Sequence, residues 1–262
     1  MKYLSLCAIV KNEAPYITEW IKYHFHLGVE HFYIYENESV DATLSILKKL
    51  SRQYPITLNL IKGSIAQAKA YKSCIKDHAL ESRWIAFIDV DEFIVCIKDI
   101  KVFLKDYENY PGVVAHWYLF GSNGWTNFES KPVVERFTKR QREVNPHIKS
   151  IVDPRRTIES YTPHAFIYTE GLAVDEHFER IKEGNPIPED GSCDLIQINH
   201  YATKSLEECN FRRSQPRADT GTTRNPTEFF ATHDRNDVED FKARNFWQYI
   251  HNMEEIRARK TL

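Results

Sequence analysis

The 262-residue chain has no glycine-rich phosphate loop. Neither GxGxxG nor GKS/GKT occurs, and its 9 glycines are scattered. A dinucleotide or P-loop site therefore has no support, since both need glycines at fixed spacing to bring backbone N–H groups onto phosphates. Any nucleotide has to be held by side chains and a metal instead. Cysteine is sparse: Cys7, Cys74, Cys96, Cys193 and Cys209 form no CxxC pair, and an odd count leaves at least one unpaired. This predicts reduced, buried thiols in a cytosolic protein. Neither sign of charge dominates. A formal net charge of -2 argues against a general nucleic-acid-binding or membrane-coating surface. No stretch approaches the about 18 uninterrupted apolar residues of a membrane span, and no apolar signal segment precedes Lys2. A cytoplasmic chain is expected. The C-terminal helix carrying Phe241, Phe246, Trp247 and Ile250 either covers the sheet or docks peripherally at the inner face of a membrane.

The most informative segment that is present runs from Trp84 to Phe93 (WIAFIDVDEF), an apolar stretch ending in Asp89, Asp91 and Glu92 before Phe93, Ile94 and Val95 resume it. So dense an apolar run reads as a central strand buried on both faces, and ligands in open α/β sheets bind at the carboxyl ends of such strands. Two aspartates one residue apart on an extended backbone point to the same side and can hold one hard cation together. Acids pinned between buried segments are costly unless compensated, and a divalent metal compensates them.

The rest of the chain supplies the frame. Strands are predicted over residues 3–10, 31–35 and 56–62, with helices over 17–27, 42–50 and 67–78. The alternation specifies a mostly parallel sheet with helices on both faces, in an α/β fold. Asn12, Asn37 and Asp91 fall on one ligand edge. Further strands are expected at 113–118, 148–152 and 164–168, and a last one at 194–200 ends in His200. Residues 120–125 (FGSNGW) set two glycines around Ser and Asn, a tight loop whose backbone can approach a ligand closely. From Arg212 onward the composition turns to Arg, Thr, Asn and Pro, which predicts a mobile segment before the terminal helix. One domain is expected over 1–205, with a nucleotide-binding half (1–98) and an acceptor half (99–205). Residues 206–262 form a C-terminal extension of the same domain.

Jointly, CAIVKNEAPYITEWIKYHFHLGVEHFYIYENESVD, WIAFIDVDEF, FGSNGW, VVERF, QINHYATKS and HDRNDVEDF resemble the metal-dependent nucleotide-sugar glycosyltransferases of the GT-A type, in particular family 92 and bacterial relatives in the family-2-like group. The resemblance implies a UDP-sugar donor, favouring UDP-galactose, and a divalent ion, Mn²⁺ or Mg²⁺. It places Val10, Asn12, Glu13, Asn37 and Asp41 beside the nucleotide, with Gln67 and Lys204 on the same side. Asp89 lies towards the ribose or the metal, and Asp91 and His200 bind the metal. The chain departs from the family at residues 36–41 (ENESVD), where a glycine is common.

Sugar transfer from a diphosphate needs charge neutralised at the leaving group, for which Lys204, Arg212, Arg213 and Arg217 are further candidates. Inversion needs a carboxylate that takes the acceptor's proton. Glu135 is the first candidate, followed by Asp175 and Glu176. The acceptor is expected to be a glycan or glycolipid, such as a growing capsule or lipopolysaccharide. A silent nucleotide-sugar-binding module and a metal-dependent phosphohydrolase or nucleotidyltransferase are the competing readings.

Overall fold

In the computed structural model, which describes residues 1–189 and 191–260, the first half alternates strictly between strand and helix. It runs β1 (Lys2–Val10), α1 (Ile17–Leu27), β2 (His31–Glu36), α2 (Thr43–Leu50), β3 (Ile56–Leu60), α3 (Gln67–His78) and β4 (Ser82–Phe87). Then follow β5 (Glu92–Cys96), α4 (Ile100–Lys105), β6 (Gly112–Leu119), α5 (Val133–Arg136), β7 (Lys139–Arg140) and β8 (Asn145–Val152). The chain continues through β9 (Thr157–Ser160), β10 (Phe166–Tyr168), β11 (Ile196–His200), α6 (Leu206–Ser214), α7 (Pro226–His233), β12 (Val238–Glu239) and α8 (Lys242–Lys260).

Eight strands form one sheet in the order β3-β2-β1-β4-β8-β6-β11-β5. The pairs β3-β2, β2-β1, β1-β4 and β6-β11 are parallel, whereas β8 and β5 run antiparallel to their neighbours. The expected α/β, mostly parallel sheet is thus present. Period-two alternation divides its core. On β1, Leu4, Leu6, Ala8 and Val10 point into one apolar cluster, while Cys7 and Ile9 point into another on the opposite face. Trp20 and Ile21 of α1 and Leu47 of α2 fill the first cluster, and Ala70, Tyr71 and Cys74 of α3 fill the second, so helices cover both faces. All five cysteines are free, and four are buried.

The single buried strand expected over residues 84–95 is two strands. The chain leaves the sheet after Phe87 and turns through residues 88–91. It re-enters as β5 at the far edge, paired with β11. The segment from Arg212 onward, expected as mobile, carries the end of α6 and all of α7. On α8, Ala243, Trp247 and Ile250 are buried in the first core cluster, and Lys22 bonds Glu254 at 2.6 Å. This helix therefore covers the sheet. Among the described residues, no helix is long and apolar enough to cross a membrane.

The FGSNGW loop packs against HDRNDVEDF. Ser122 N donates to Asp234, and Asn123 N donates to Asn236 Oδ1 at 2.8 Å. A Cβ on Gly121 would lie 2.4 Å from the Arg235 carbonyl oxygen. Gly121→Ala is accordingly expected to cost about 1–3 kcal/mol of stability through overpacking against backbone. Urea unfolding that gave an unchanged midpoint would contradict this.

Candidate active site

The carboxyl ends of β1, β4, β6 and β11 open into a cleft of about 360 Å3, whose other wall is drawn from residues 211–233. Its floor is the turn at 88–91. Glu92 N donates to the Asp89 carbonyl (3.0 Å), closing the turn. The indole Nε1 of Trp20 donates to the carbonyls of Asp89 (3.1 Å) and Glu92 (2.9 Å), and Tyr201 N donates to that of Asp91 (2.8 Å). The turn is thus held by main-chain groups, and the two aspartates do not share one face of an extended strand.

Their carboxylates have different partners. Asp89 Oδ2 accepts from Lys149 Nζ (2.7 Å) and Oδ1 from Gln67 Nε2 (3.1 Å). Lys149, fully buried on β8, also lies 3.2 Å from Glu92. Burial opposes the lysine's charge, but Asp89 and Glu92 outweigh it and raise its pKa. Burial pushes the Glu92 carboxyl well above the usual carboxylate range, against the opposing pull of Lys149. Asp91 faces His200 instead, with Oδ2 3.7 Å from Nε2, too far for a hydrogen bond. Burial works against the Asp91 charge, yet His200, Lys204 and Arg213 together hold the carboxyl well below its usual range. Burial also lowers His200, against the pull of Asp91. The Nδ1 of the ring is buried without a partner.

A carboxylate and an imidazole turned towards each other at 3.7 Å without bonding fit a divalent ion. The carboxylate suits Mn²⁺ and Mg²⁺ alike, and the imidazole adds a nitrogen donor of the kind first-row ions accept. Asp89 differs in carrying a protein donor on each carboxylate oxygen.

On the β1–β2 side, Val10, Asn12, Glu13, Asn37 and Gln67 all line the cleft, as do Asp89, Asp91 and His200. Asn12 takes a left-handed φ of 56°, with its N–H donating to Ser39 Oγ (3.0 Å) and its Oδ1 accepting from Val40 N (2.9 Å). Asn37 Nδ2 donates to the carbonyls of Ile61 (3.1 Å) and Gly63 (3.0 Å). Burial pushes Glu13 up to about 7, although Arg212 lies 3.8 Å away.

Five predicted site residues lie outside the cleft lining. Asp41 accepts from Ala14 N (3.2 Å) and Thr43 N (2.9 Å), bracing the loops. Lys204 is buried with Nζ 4.5 Å above the Tyr16 ring, and acts on Asp91 and Glu13 only through its field. Glu135 is exposed on α5. Asp175 is buried, accepting from His177 N and Glu179 N (both 2.9 Å), a turn-closing role. Glu176 accepts from the backbone N–H groups of residues 194–196.

The opposite wall is basic. Arg212, Arg213, Arg217 and Arg224 line it. Arg213 stacks 4.0 Å from the Phe229 ring and lies 4.0 Å from Asp91. Burial, with Arg217 and Arg213 nearby, lowers Arg224 to about 10. A capping box on α6 positions the first two, with Ser205 Oγ accepting from Glu208 N and Glu208 accepting from Ser205 N. Asn225 caps α7 with Pro226 at its first turn. Sequence reasoning missed Lys149 and Arg224, and also Trp117, His147 and His164, which line the central part of the cleft.

The model of glycosyltransferase family 92 matches residues 2–183. Family 92 proteins of Arabidopsis thaliana and of Oryza sativa subsp. japonica are 27% and 28% identical, each over 76% of this chain and 35% and 33% of their own length. The chain thus spans about a third of the length of the curated relatives it matches. Among solved structures, S. aureus TarS 1-349 aligns with a TM-score of 0.42 at 16% identity, covering 81% of this chain and 64% of TarS.

Proposed function

Because the chain belongs to glycosyltransferase family 92, we propose that it moves a hexose from a UDP-sugar, UDP-galactose foremost, to a hydroxyl of a glycan or glycolipid acceptor. The observation that carries this reading is the charge division of the cleft. Glu13, Asp89 and Asp91 stand on the strand side, and Arg212, Arg213, Arg217 and Arg224 face them from the C-terminal side. A metal-bound diphosphate matches that division, presenting a cation to the acids and phosphate oxygens to the guanidinium groups. When bound by Asp91 and His200, a divalent ion such as Mn²⁺ would supply Lewis-acid charge neutralisation at the leaving diphosphate.

The chain's own groups do the rest. Asn12, Glu13 and Asn37 border the nucleotide, and the Lys149–Asp89–Gln67 set fixes the floor towards the ribose. Arg213 and Arg224, backed by the Phe229 ring, stabilise the departing UDP without reorganising. Incubation with UDP-hexoses and Mn²⁺ tests the reaction class. Free UDP is expected, whereas UMP with sugar phosphate would move the chain to the phosphohydrolases or nucleotidyltransferases. Arg224→Ala is expected to raise the Kd for UDP with Mn²⁺ by about tenfold or more, read by calorimetry. An unchanged Kd would remove this side chain from diphosphate binding.

A further inference from the structure

Each carboxylate lining the cleft faces a basic side chain, Asp89 and Asp219 through hydrogen bonds and Asp91 and Glu13 at 3.7–4.0 Å without them. Asp89 bonds Lys149 and Gln67, Asp91 faces His200 and Arg213, Glu13 pairs with Arg212 on the nucleotide side, and Asp219 takes a bidentate pair from Arg217. An imidazole among them is differently placed. Asn145 Oδ1 accepts from the backbone N–H of His147 (3.1 Å), which identifies that atom as the oxygen, and it also lies 2.8 Å from His147 Nδ1. Nδ1 must therefore carry the proton, and Nε2 is left as a bare acceptor. Among the described residues, Nε2 has no hydrogen-bond partner. The ring is stacked on Trp117, with centroids 4.9 Å apart and planes 12° apart. The same indole lies 4.2 Å from His200, so His147 stands one ring away from the Asp91–His200 pair.

The geometry points to His147 as the general base for the acceptor hydroxyl, with Asn145 as the positioning residue that fixes its tautomer. This rests on the glycosyltransferase reading. Nε2 takes the hydroxyl proton as the acceptor oxygen bonds to the anomeric carbon. The electron pair of the broken carbon–oxygen bond leaves with UDP, and the imidazolium then yields its proton to water. Burial, together with His200, Arg224 and Lys149, lowers the His147 pKa and keeps the ring unprotonated at neutral pH; His164 is the other imidazole packed near it. His164 also donates from Nδ1, to the Ile148 carbonyl (3.0 Å), but burial drives it to about 2, too weak a base for the task.

The test uses the full chain with Mn²⁺ and a panel of UDP-hexoses, reading UDP release to acceptor or water, UDP affinity and the anomer of the released sugar. His147→Gln is expected to lower kcat by about 100- to 10,000-fold with the Kd for UDP unchanged. In His147→Ala, added imidazole is expected to restore turnover by occupying the vacated slot against Trp117. Turnover of His147→Gln within about threefold of the unsubstituted protein, loss in Glu13→Gln alone, or release of the sugar with retained configuration would each overturn the assignment while leaving the glycosyltransferase reading intact. Absence of UDP release from the unsubstituted protein would overturn both.

Discussion

Asp91→Ala is expected to lower transfer from a UDP-hexose about a thousandfold and to abolish the Mn²⁺-dependent part of UDP binding, with the fold retained. The two losses belong together because one carboxylate serves both. Asp91 faces His200 at 3.7 Å without bonding it, and no other acid in the cleft occupies that position. The fold should survive because the Asp91 carbonyl, and not its carboxylate, anchors the turn to Tyr201. Chelation should reproduce the defect in the unsubstituted protein, and Mn²⁺ should reverse it there but not in the variant. Normal turnover by purified Asp91→Ala would refute the site.

The second large effect is structural. Glu208 accepts from Arg136 Nη1 (2.7 Å) and Nη2 (2.9 Å), from Tyr16 (2.8 Å) and from Ser205 N (3.0 Å), joining α5, the entry to α1 and the cap of α6. Both side chains of the ion pair are buried. Glu208→Gln leaves Arg136 charged and without its counter-ion, which should cost about 3–5 kcal/mol and lower Tm by on the order of 10 °C. Replacing both partners with apolar residues, as in Arg136→Met with Glu208→Leu, should cost less than the single change. Calorimetry on the three proteins separates these outcomes, and a single variant as stable as the parent would show the pair to be dispensable.

The pH dependence follows with its sign. Burial opposes the Glu208 charge, but Arg136 and Ser205 lower the carboxyl from 4.5 to about 2. A depressed acid stabilises the fold above its unfolded pKa and loses that contribution as pH falls through the folded value. The contribution is therefore intact above pH 4.5 and lost between 4.5 and about 2. In that window the parent should lose more stability than Glu208→Gln, measured by urea unfolding at each pH.

The elements β1 to β4 and the helices between them were legible because apolar spacing alone distinguishes them. The break between β4 and β5 was not. Ile88 and Val90 are as buried as the strands on either side, so nothing in WIAFIDVDEFIVC marks where the chain changes sheet position. Within the site, Asp91 and His200 announced themselves as polar residues ending apolar runs. Lys149 did not, because a lysine inside IKSIV reads as a solvent-facing position, and only the β4–β8 pairing brings it beneath Asp89. Arg224 lay in a composition that suggested loop, although Asn225-Pro226-Thr227-Glu228 carries a helix-start signal that could have placed α7. Glu135 was chosen by its place in the chain, and local sequence holds no record of which surface a four-residue helix presents.

The manner in which the acid turn is tied down bears on how such chains diverge. Its tethers run from the Trp20 indole and the Tyr201 amide to backbone oxygens, and backbone oxygens are common to every residue type. In a gene copy released from selection for turnover, exchange of Asp91 for a neutral side chain therefore leaves these tethers in place. Pseudoenzymes on this scaffold should be recognisable by a retained Trp20 beside an altered Asp91, and loss of chemistry should precede loss of structure along such a lineage.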